Sequence, residues 1–434
     1  MTNELKDRIS KIRSGEVPEG YKKTKMGILP NDWNIVKLKD IAQHITKKNS
    51  EMKYTETLTN SAALGIINQT DYFEKQISNN NNIDGYYVVE GGDYAYNPRI
   101  SVSAPCGPIS KSHISETGIM SPLYTVFRFS DIDDSYYESY FKSSFWYRYM
   151  NSVANYGARF DRMNITNDDF FSMPLPSPPL PEQQKIAEIL STQDKVIALI
   201  QKQIEELKKL KKAYLQKMFP QKGSLFPEIR FKGFTDAWEQ RQLGEVLSFL
   251  KDGTHGTHKN SDEGIYLLSA KNIKNGEIII DETSDRKISK EEFDVIHSTF
   301  KLQRNDVLLT IVGSIGEVAI LKNPDIMTFQ RSVAFLRPNE ELISSFLKTE
   351  IESDVFQKEL SDRKSQSAQP GVYLGELGKI PFAVPLLKEQ QQIGNYFRNL
   401  DTLITLHQRK LEQEQQKKKA LMQLLLTGIV RVKV

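Results

Sequence analysis

A single cysteine, Cys106, stands among 434 residues. No disulfide can close within the chain, and neither a thiolate metal cluster nor a redox pair can be built. Net charge is as scarce: 58 Lys and Arg against 55 Asp and Glu leave +3. That removes any bulk electrostatic argument for a polyanionic partner, which would have to be met by local basic faces or through a second protein. No stretch approaches the ~20 apolar residues of a membrane span. The polar start MTNELKDRISKIRSGEVPEGYKK lacks the apolar core of a secretory signal. The expectation is a soluble, cytoplasmic protein without a membrane role.

Motifs for chemistry are missing too. An amino-methyltransferase holds its target amine with Asn/Asp-Pro-Pro-aromatic, and YNPR (Tyr96 to Arg99) lacks the second proline and the aromatic. No phosphate-binding GxxxxGK[ST] loop occurs, and VGSIGEV (Val312 to Val318) lacks dinucleotide glycine spacing, so Gly313 and Gly316 read as turn glycines. Asp325 and the remote Asp362-x-Lys364 make no convincing nuclease cluster. The loop DGTHGTH (Asp252 to His258) carries His255 and His258 without nearby carboxylate or thiolate support, a poor zinc site. The expectation is no catalytic residue, no metal and no cofactor on this chain.

What is present is a repeat. LPEQQKIAEILSTQDKVIALIQKQIEELKKLKKAYLQKMF (Leu180 to Phe219) returns without a gap as LKEQQQIGNYFRNLDTLITLHQRKLEQEQQKKKALMQLLL (Leu387 to Leu426), each residue 207 positions on, as Glu389 follows Glu182. A weaker pair precedes each copy: LPNDWNIVKLKDI from Leu29 and FTDAWEQRQLGEV from Phe234, with Trp33 matching Trp238. Between these shared ends lie globular stretches of ordinary domain size with little sequence in common. The frame repeats while its contents differ.

Each repeated segment reads as a long helix. Both follow prolines (PLPSPPLP, IPFAVPL), which oppose helix before them and are tolerated in a first turn, so the helices should start near Glu182 and Glu389. Acidic starts and the late lysines suit the helix dipole. Leu190, Ile197, Ile204 and Met218, with Ile200, Leu207 and Tyr214 between them, form a coiled-coil seam. Phe397, Ile404, Leu411 and Leu425 hold one line of the second copy, while His407 and Glu414 break the other. Lys211 and Lys418 interrupt both copies at matching positions, either as register-setting polar residues or as stems lying along apolar surface.

Roughly 36 helical residues span about 54 Å, on the scale of DNA half-sites one turn apart, about 34 to 36 Å. The short linker Pro220 to Phe234 places the second domain at the far end of the first helix, and the second helix covers the first by running back. The expected fold is α+β: two mixed α/β domains joined by two long antiparallel helices in a pseudo-two-fold tandem repeat. Its segments are 1–178 and 221–384 as domains, 179–220 and 385–434 as helical spacers.

With PLPEQQKIAEIL and its second copy, DWNIVKLKDI, GFTDAWEQRQLGEV and DGTHGTH in this order, the whole chain resembles the specificity subunit of type I restriction–modification enzymes. The resemblance implies two target-recognition domains, each reading half of an asymmetric bipartite site on double-stranded DNA. It also implies helical regions that dock two methyltransferase subunits, with restriction/translocase subunits joining. S-adenosylmethionine, ATP and Mg would then sit on the partners. Two rival readings are a free-standing DNA-binding regulator, which would bind specifically without a methyltransferase, and a coiled-coil scaffold indifferent to DNA.

Candidate DNA contacts are Arg99, the DGTHGTHK loop with Thr254, His255, Thr257, His258 and Lys259, and two loops just before the long helices. ANYGARFDRMN offers Arg159 and Arg162; DRKSQSAQPGV offers Lys364 and Gln366. Arginine and glutamine can pair with base edges at two points, while lysine and hydroxyls suit phosphates. The plain alternative for each is an ordinary solvent-exposed loop. Tyr140, Phe141, Phe145, Trp146 and Tyr149 have helical spacing and read as core rather than base-stacking platforms.

Overall fold

A computed structural model describes residues 3–72, 83–130, 132–155, 161–365 and 370–433. The chain forms two compact units, residues 1–199 with 412–434 and residues 200–411. Each unit takes one globular segment together with half of each long helix, so the units differ from the four sequence segments.

Unit 1 is built on a four-stranded antiparallel sheet in the order Ala42–His44, Thr125–Phe129, Tyr94–Tyr96, Ile109–Lys111. Unit 2 repeats that order with Leu247–Asp252, Val333–Pro338, Val307–Thr310, Val318–Ile320. The inner strands are apolar because both faces are covered: all four residues of Val307–Thr310 are buried. Beyond this shared sheet the units diverge. Unit 1 adds the hairpin Leu58–Ser61/Gly65–Asn68 and the pair Tyr87–Val89/Gly118–Met120. Unit 2 adds a mixed sheet in which Ile265–Leu268 runs parallel to Met327–Phe329 and antiparallel to Lys287–Ile288.

The shared ends of the repeat close each unit in the same way. Asn34–Lys37, just after Trp33, pairs antiparallel with Pro174–Ser177; Glu239–Gln242, just after Trp238, pairs with Pro381–Val384. Pro174 and Pro176 lack an N–H and are admitted because this ribbon has only two strands. Each closing strand leads into a long helix, Leu180–Lys217 or Leu387–Leu425. Both helices begin two residues before the glutamates expected to start them, with Pro181 inside the first turn of one, where its missing N–H costs no hydrogen bond.

Glu182 and Glu389 are more than dipole partners. Both are buried, and each receives an arginine fork. Arg431 donates to both Glu182 oxygens at 2.8 Å and to Asp32 at 2.6 and 2.9 Å. Arg230 donates to both Glu389 oxygens at 2.7 Å. In unit 1 Trp33 Nε1 also donates to Glu182 at 2.9 Å, whereas Trp238 Nε1, equally buried, has no protein acceptor. The next repeated residue ties the helix to the preceding proline carbonyl: Gln183 to Pro178 at 2.8 Å, Gln390 to Pro385 at 2.9 Å.

The seam residues lie where the helix halves pack. Leu190, Ile200, Ile204, Phe397 and Ile404 are buried, and Ile197, Leu207 and Leu411 are half-buried. In unit 1 Gln193 donates to Glu414 at 2.6 Å and Lys418 pairs with Asp194 at 2.5 Å. In unit 2 Lys211 pairs with Asp401 at 2.7 Å and with Glu352 at 2.8 Å, while Lys348 bridges the same two acids. From Lys211–Asp401 to the Tyr214–Tyr396 ring contact, and from Glu182–Arg431 to Gln193–Glu414, the first partner advances along the chain while the second recedes, so the halves run antiparallel within each unit. Lys211 and Lys418 therefore act through matching ion pairs to Asp401 and Asp194 rather than as apolar stems alone. Burial pulls the Asp401 carboxyl upward, but Lys348 and Lys211 outweigh it and hold it below its ordinary value.

The aromatic run of unit 1 is core. Tyr140, Phe141 and Trp146 are buried with Tyr94, Phe127 and Phe170, and Phe145 and Tyr149 are half-buried against them. Ile186, Leu190 and Leu425 join this core from the helices, and Leu215, Phe397 and Leu400 join that of unit 2. No helix among the described residues is long and apolar enough to cross a membrane.

Candidate nucleic-acid interface

In each unit the loop before the long helix pairs with the hairpin loop joining the last two strands of the sheet. In unit 1 that hairpin loop, residues 97–108, carries the YNPR run. Arg99 and Arg162 face each other as an antiparallel bridge, fastened by Met163 N–H to Pro98 O at 2.9 Å and Ile100 N–H to Asp161 O at 3.0 Å. Arg99 is exposed, its N–H turned to Asn97 Oδ1 at 3.0 Å, and Arg162 is half-buried with Asp161 at 3.7 Å. Arg159 lies outside the described residues. Two arginines 63 positions apart in the sequence thus come from neighbouring backbone segments.

Unit 2 uses the same arrangement with different residues. Its hairpin loop, residues 311–317, turns through Gly313 (φ 83°) and Gly316 (φ 103°), as turn glycines do. Val312 bridges Gly371, with Val372 N–H donating to Ile311 O at 2.9 Å. Lys364 is exposed on the same late loop; Gln366 lies outside the described residues.

The DGTHGTH loop continues the outer strand Leu247–Asp252. Gly253 is required where it stands, since a Cβ there would lie 2.2 Å from Phe329 O. Thr254 N–H donates to Phe329 O at 2.9 Å, and Thr254 O accepts from Arg331 N–H at 3.1 Å, forming a parallel bridge with Gln330. Gly256, at φ 101°, then reverses the chain. His258 returns onto Thr254, Nε2 to Oγ1 at 2.9 Å, and its Nδ1 meets Glu292 at 2.7 Å. His255 Nε2 meets Asp252 at 2.7 Å. This corrects the expectation that the histidines lack carboxylate support: Asp252 is three residues away, and folding delivers Glu292 from the short helix Lys290–Ile296. Each histidine has its own carboxylate, and no group of three or more metal-ligating side chains forms among the described residues. Thr257 and Lys259 are exposed, and Arg286 donates to His258 O at 2.7 Å and Asn260 at 2.5 Å.

The two candidate segments of unit 2 are linked through residues 330–332. Gln330 and Arg331 border Thr254, while Ser332 O accepts from Ile311 N–H, beside the Val312–Gly371 bridge. The exposed Arg331 was not a sequence candidate, and nothing in its own segment marks it. The position after the matching outer strand of unit 1 holds Lys47 and Lys48, both exposed, with Lys48 bridged to Tyr87. Their basic doublet was a signal that could have been used.

Comparison with known proteins places two copies of one family model on the chain, the type I restriction modification DNA specificity domain, at residues 30–209 and 235–415. The type I restriction enzyme MjaVIII specificity subunit of Methanocaldococcus jannaschii is 30% identical over 273 residues, 61% of this chain and 64% of that protein, so the aligned part falls short of two thirds of its length. A second protein of that organism, provisionally named the MjaX specificity subunit, is 24% identical over 96% of this chain and 97% of its own. Among solved structures, a chain from work on complex assembly and conformational transition of the type I R-M system matches with a TM-score of 0.56 at 14% identity, covering 93% of this chain and 99% of that one. At that identity the likeness speaks for the fold.

Proposed function

The chain belongs to the type I restriction–modification DNA specificity family as one of its sequence-specificity subunits, and on that premise we propose that it reads an asymmetric, two-part site on double-stranded DNA, one half with each unit. One observation carries this reading. The two units share a sheet order, a closing ribbon and a bridge between hairpin loop and pre-helix loop, yet the bridged residues are Arg99 and Arg162 in one and Val312 and Gly371 in the other. An identical frame holding unlike side chains is what two unlike half-sites require. A symmetric reader would instead match a palindrome.

The chemistry belongs to partners in this reading: two methyltransferase subunits carrying S-adenosylmethionine, and restriction/translocase subunits using ATP and Mg. Docking falls to the helices. Val196 and Leu199 stay exposed on the first helix, and their repeats Leu403 and Leu406 stay exposed on the second. The same outward apolar pair occurring twice supports two equivalent places for two copies of one subunit. The regulator and scaffold readings have no comparable observation in their favour.

The test is selection of bound duplexes from a randomised pool by the chain assembled with its methyltransferase. A gapped motif with two different halves is expected. A palindrome, or enrichment of a single uninterrupted block, would refute the bipartite reading, and binding of the same motif by the chain alone would favour the regulator.

A further inference from the structure

We propose that Thr254 is a specificity-determining residue of unit 2, held by His258 and Glu292 as a hydrogen-bond acceptor that selects an exocyclic amine on a base edge. The inference rests on the DNA-reading role above.

For a neutral His258 ring the hydrogen-bond chain fixes the proton positions. A carboxylate only accepts, so the 2.7 Å contact between Glu292 and His258 Nδ1 places the imidazole hydrogen on Nδ1. Nε2 of the neutral ring is then bare and accepts. Its neighbour at 2.9 Å is Thr254 Oγ1, whose single proton is thereby committed inward. The other acceptor near that hydroxyl, His255 O, is farther, at 3.4 Å. What remains to Thr254 on the outside is lone pairs.

An acceptor-only hydroxyl cannot bond a phosphate oxygen, which carries no proton at neutral pH. It can accept from adenine N6 or cytosine N4 in the major groove, while guanine O6 and thymine O4 meet it with lone pairs of their own. The backbone around Thr254 is also pinned, with its N–H on Phe329 and its carbonyl under Arg331, so the hydroxyl is preorganised rather than free to turn with its loop. Thr254 would touch the base; His258 and Glu292 are positioning residues. The His255 ring has no such link to Thr254 among the described residues; it meets Asp252.

The experiment uses the full chain with its methyltransferase and synthetic duplexes carrying the mapped site, each position of the half read by unit 2 changed in turn to all four base pairs. Thr254→Val keeps the shape and removes the hydroxyl. It should erase, at one position, a preference for adenine or cytosine of about two- to tenfold, the worth of one neutral hydrogen bond. Thr254→Ser should retain that preference. His258→Leu frees the hydroxyl proton and should let guanine or thymine be accepted at that same position. Thr254→Val overturns the proposal if it weakens all duplexes equally, as loss of a phosphate contact would, if it changes nothing, or if the wild-type preference at that position persists when the amine-bearing base of the preferred pair is replaced by an analogue lacking its exocyclic amine. A wild-type complex without a gapped motif would instead defeat the DNA-reading role itself.

Discussion

Replacing Glu389 by alanine removes a carboxylate with no solvent exposure from under the guanidinium of Arg230, whose side chain is 14% exposed. Two charge-assisted bonds of 2.7 Å are lost. Breaking a buried pair from one side costs about 3 to 5 kcal/mol, because the remaining charge is left without compensation. Arg230 keeps its 2.6 Å bond to Asp236 O and its 14% exposure, which puts the expectation at the low end, about 3 kcal/mol. At 1.36 kcal/mol per decade that is roughly a hundredfold rise in the open population of unit 2. Hydrogen exchange of the full chain reads it directly: amides of Val307–Thr310 and of residues 382–384 should exchange about a hundred times faster, while Thr125–Phe129 of unit 1 serves as internal control. The double variant Arg230→Met/Glu389→Met removes both charges and should recover at least half of the loss. A change under about threefold, or an equal change in both units, would refute the claim that this glutamate anchors its own unit.

Other outcomes follow from the same packing. Burial pushes the Glu350 carboxyl well above its ordinary 4.5, against a single bond from Ala383 N–H. A raised folded value means that its stabilising effect is complete below 4.5 and disappears as pH climbs through the folded value. Glu350→Gln should therefore flatten the decline of unit 2 stability as pH rises above 4.5, and parallel pH profiles of the two proteins would count against it. Asp401→Asn should cost more than Asp194→Asn, about 2 to 3 against under 1 kcal/mol. Asp401 is shared by two shielded lysines, while Asp194 and Lys418 are 39% and 22% exposed; equal losses in denaturation would contradict this. Gly394→Ala would set a Cβ 2.3 Å from Ser345 Oγ and 3.1 Å from Phe346 N, so a loss of about 1 to 3 kcal/mol is expected, and an unchanged melting curve would show that the contact yields freely.

The long helices and the tandem repeat were legible because helical periodicity over dozens of residues leaves a strong trace, and because the Leu180 and Leu387 segments align without a gap. The sheets were much less legible. Their strands have two to six residues, and each four-stranded sheet assembles out of chain order, so pairing depends on contacts that spacing does not encode. Glu182 and Glu389 were read as dipole partners because the arginines that hold them lie 249 and 159 positions away. Glu292 was invisible as a partner of His258 for the same reason, at a separation of 34. Arg99 and Arg162 were separate candidates by residue type, and only the fold made them neighbours. Arg331 had no signal of its own; it is brought beside Thr254 by an isolated backbone bridge between Thr254 and Gln330, just past the ends of two strands, which the sequence does not disclose.

The central claim is that each unit reads its own half of the site. Mapping the modified bases in DNA from cells expressing the methyltransferase with wild-type chain, and with the Arg99→Ala/Arg162→Ala variant, tests it most directly. The account predicts an asymmetric gapped motif for the wild type and, for the variant, relaxed or lost preference in one half with the other half and the gap unchanged. Relaxation of both halves together, or a variant motif identical to the wild type, would contradict it.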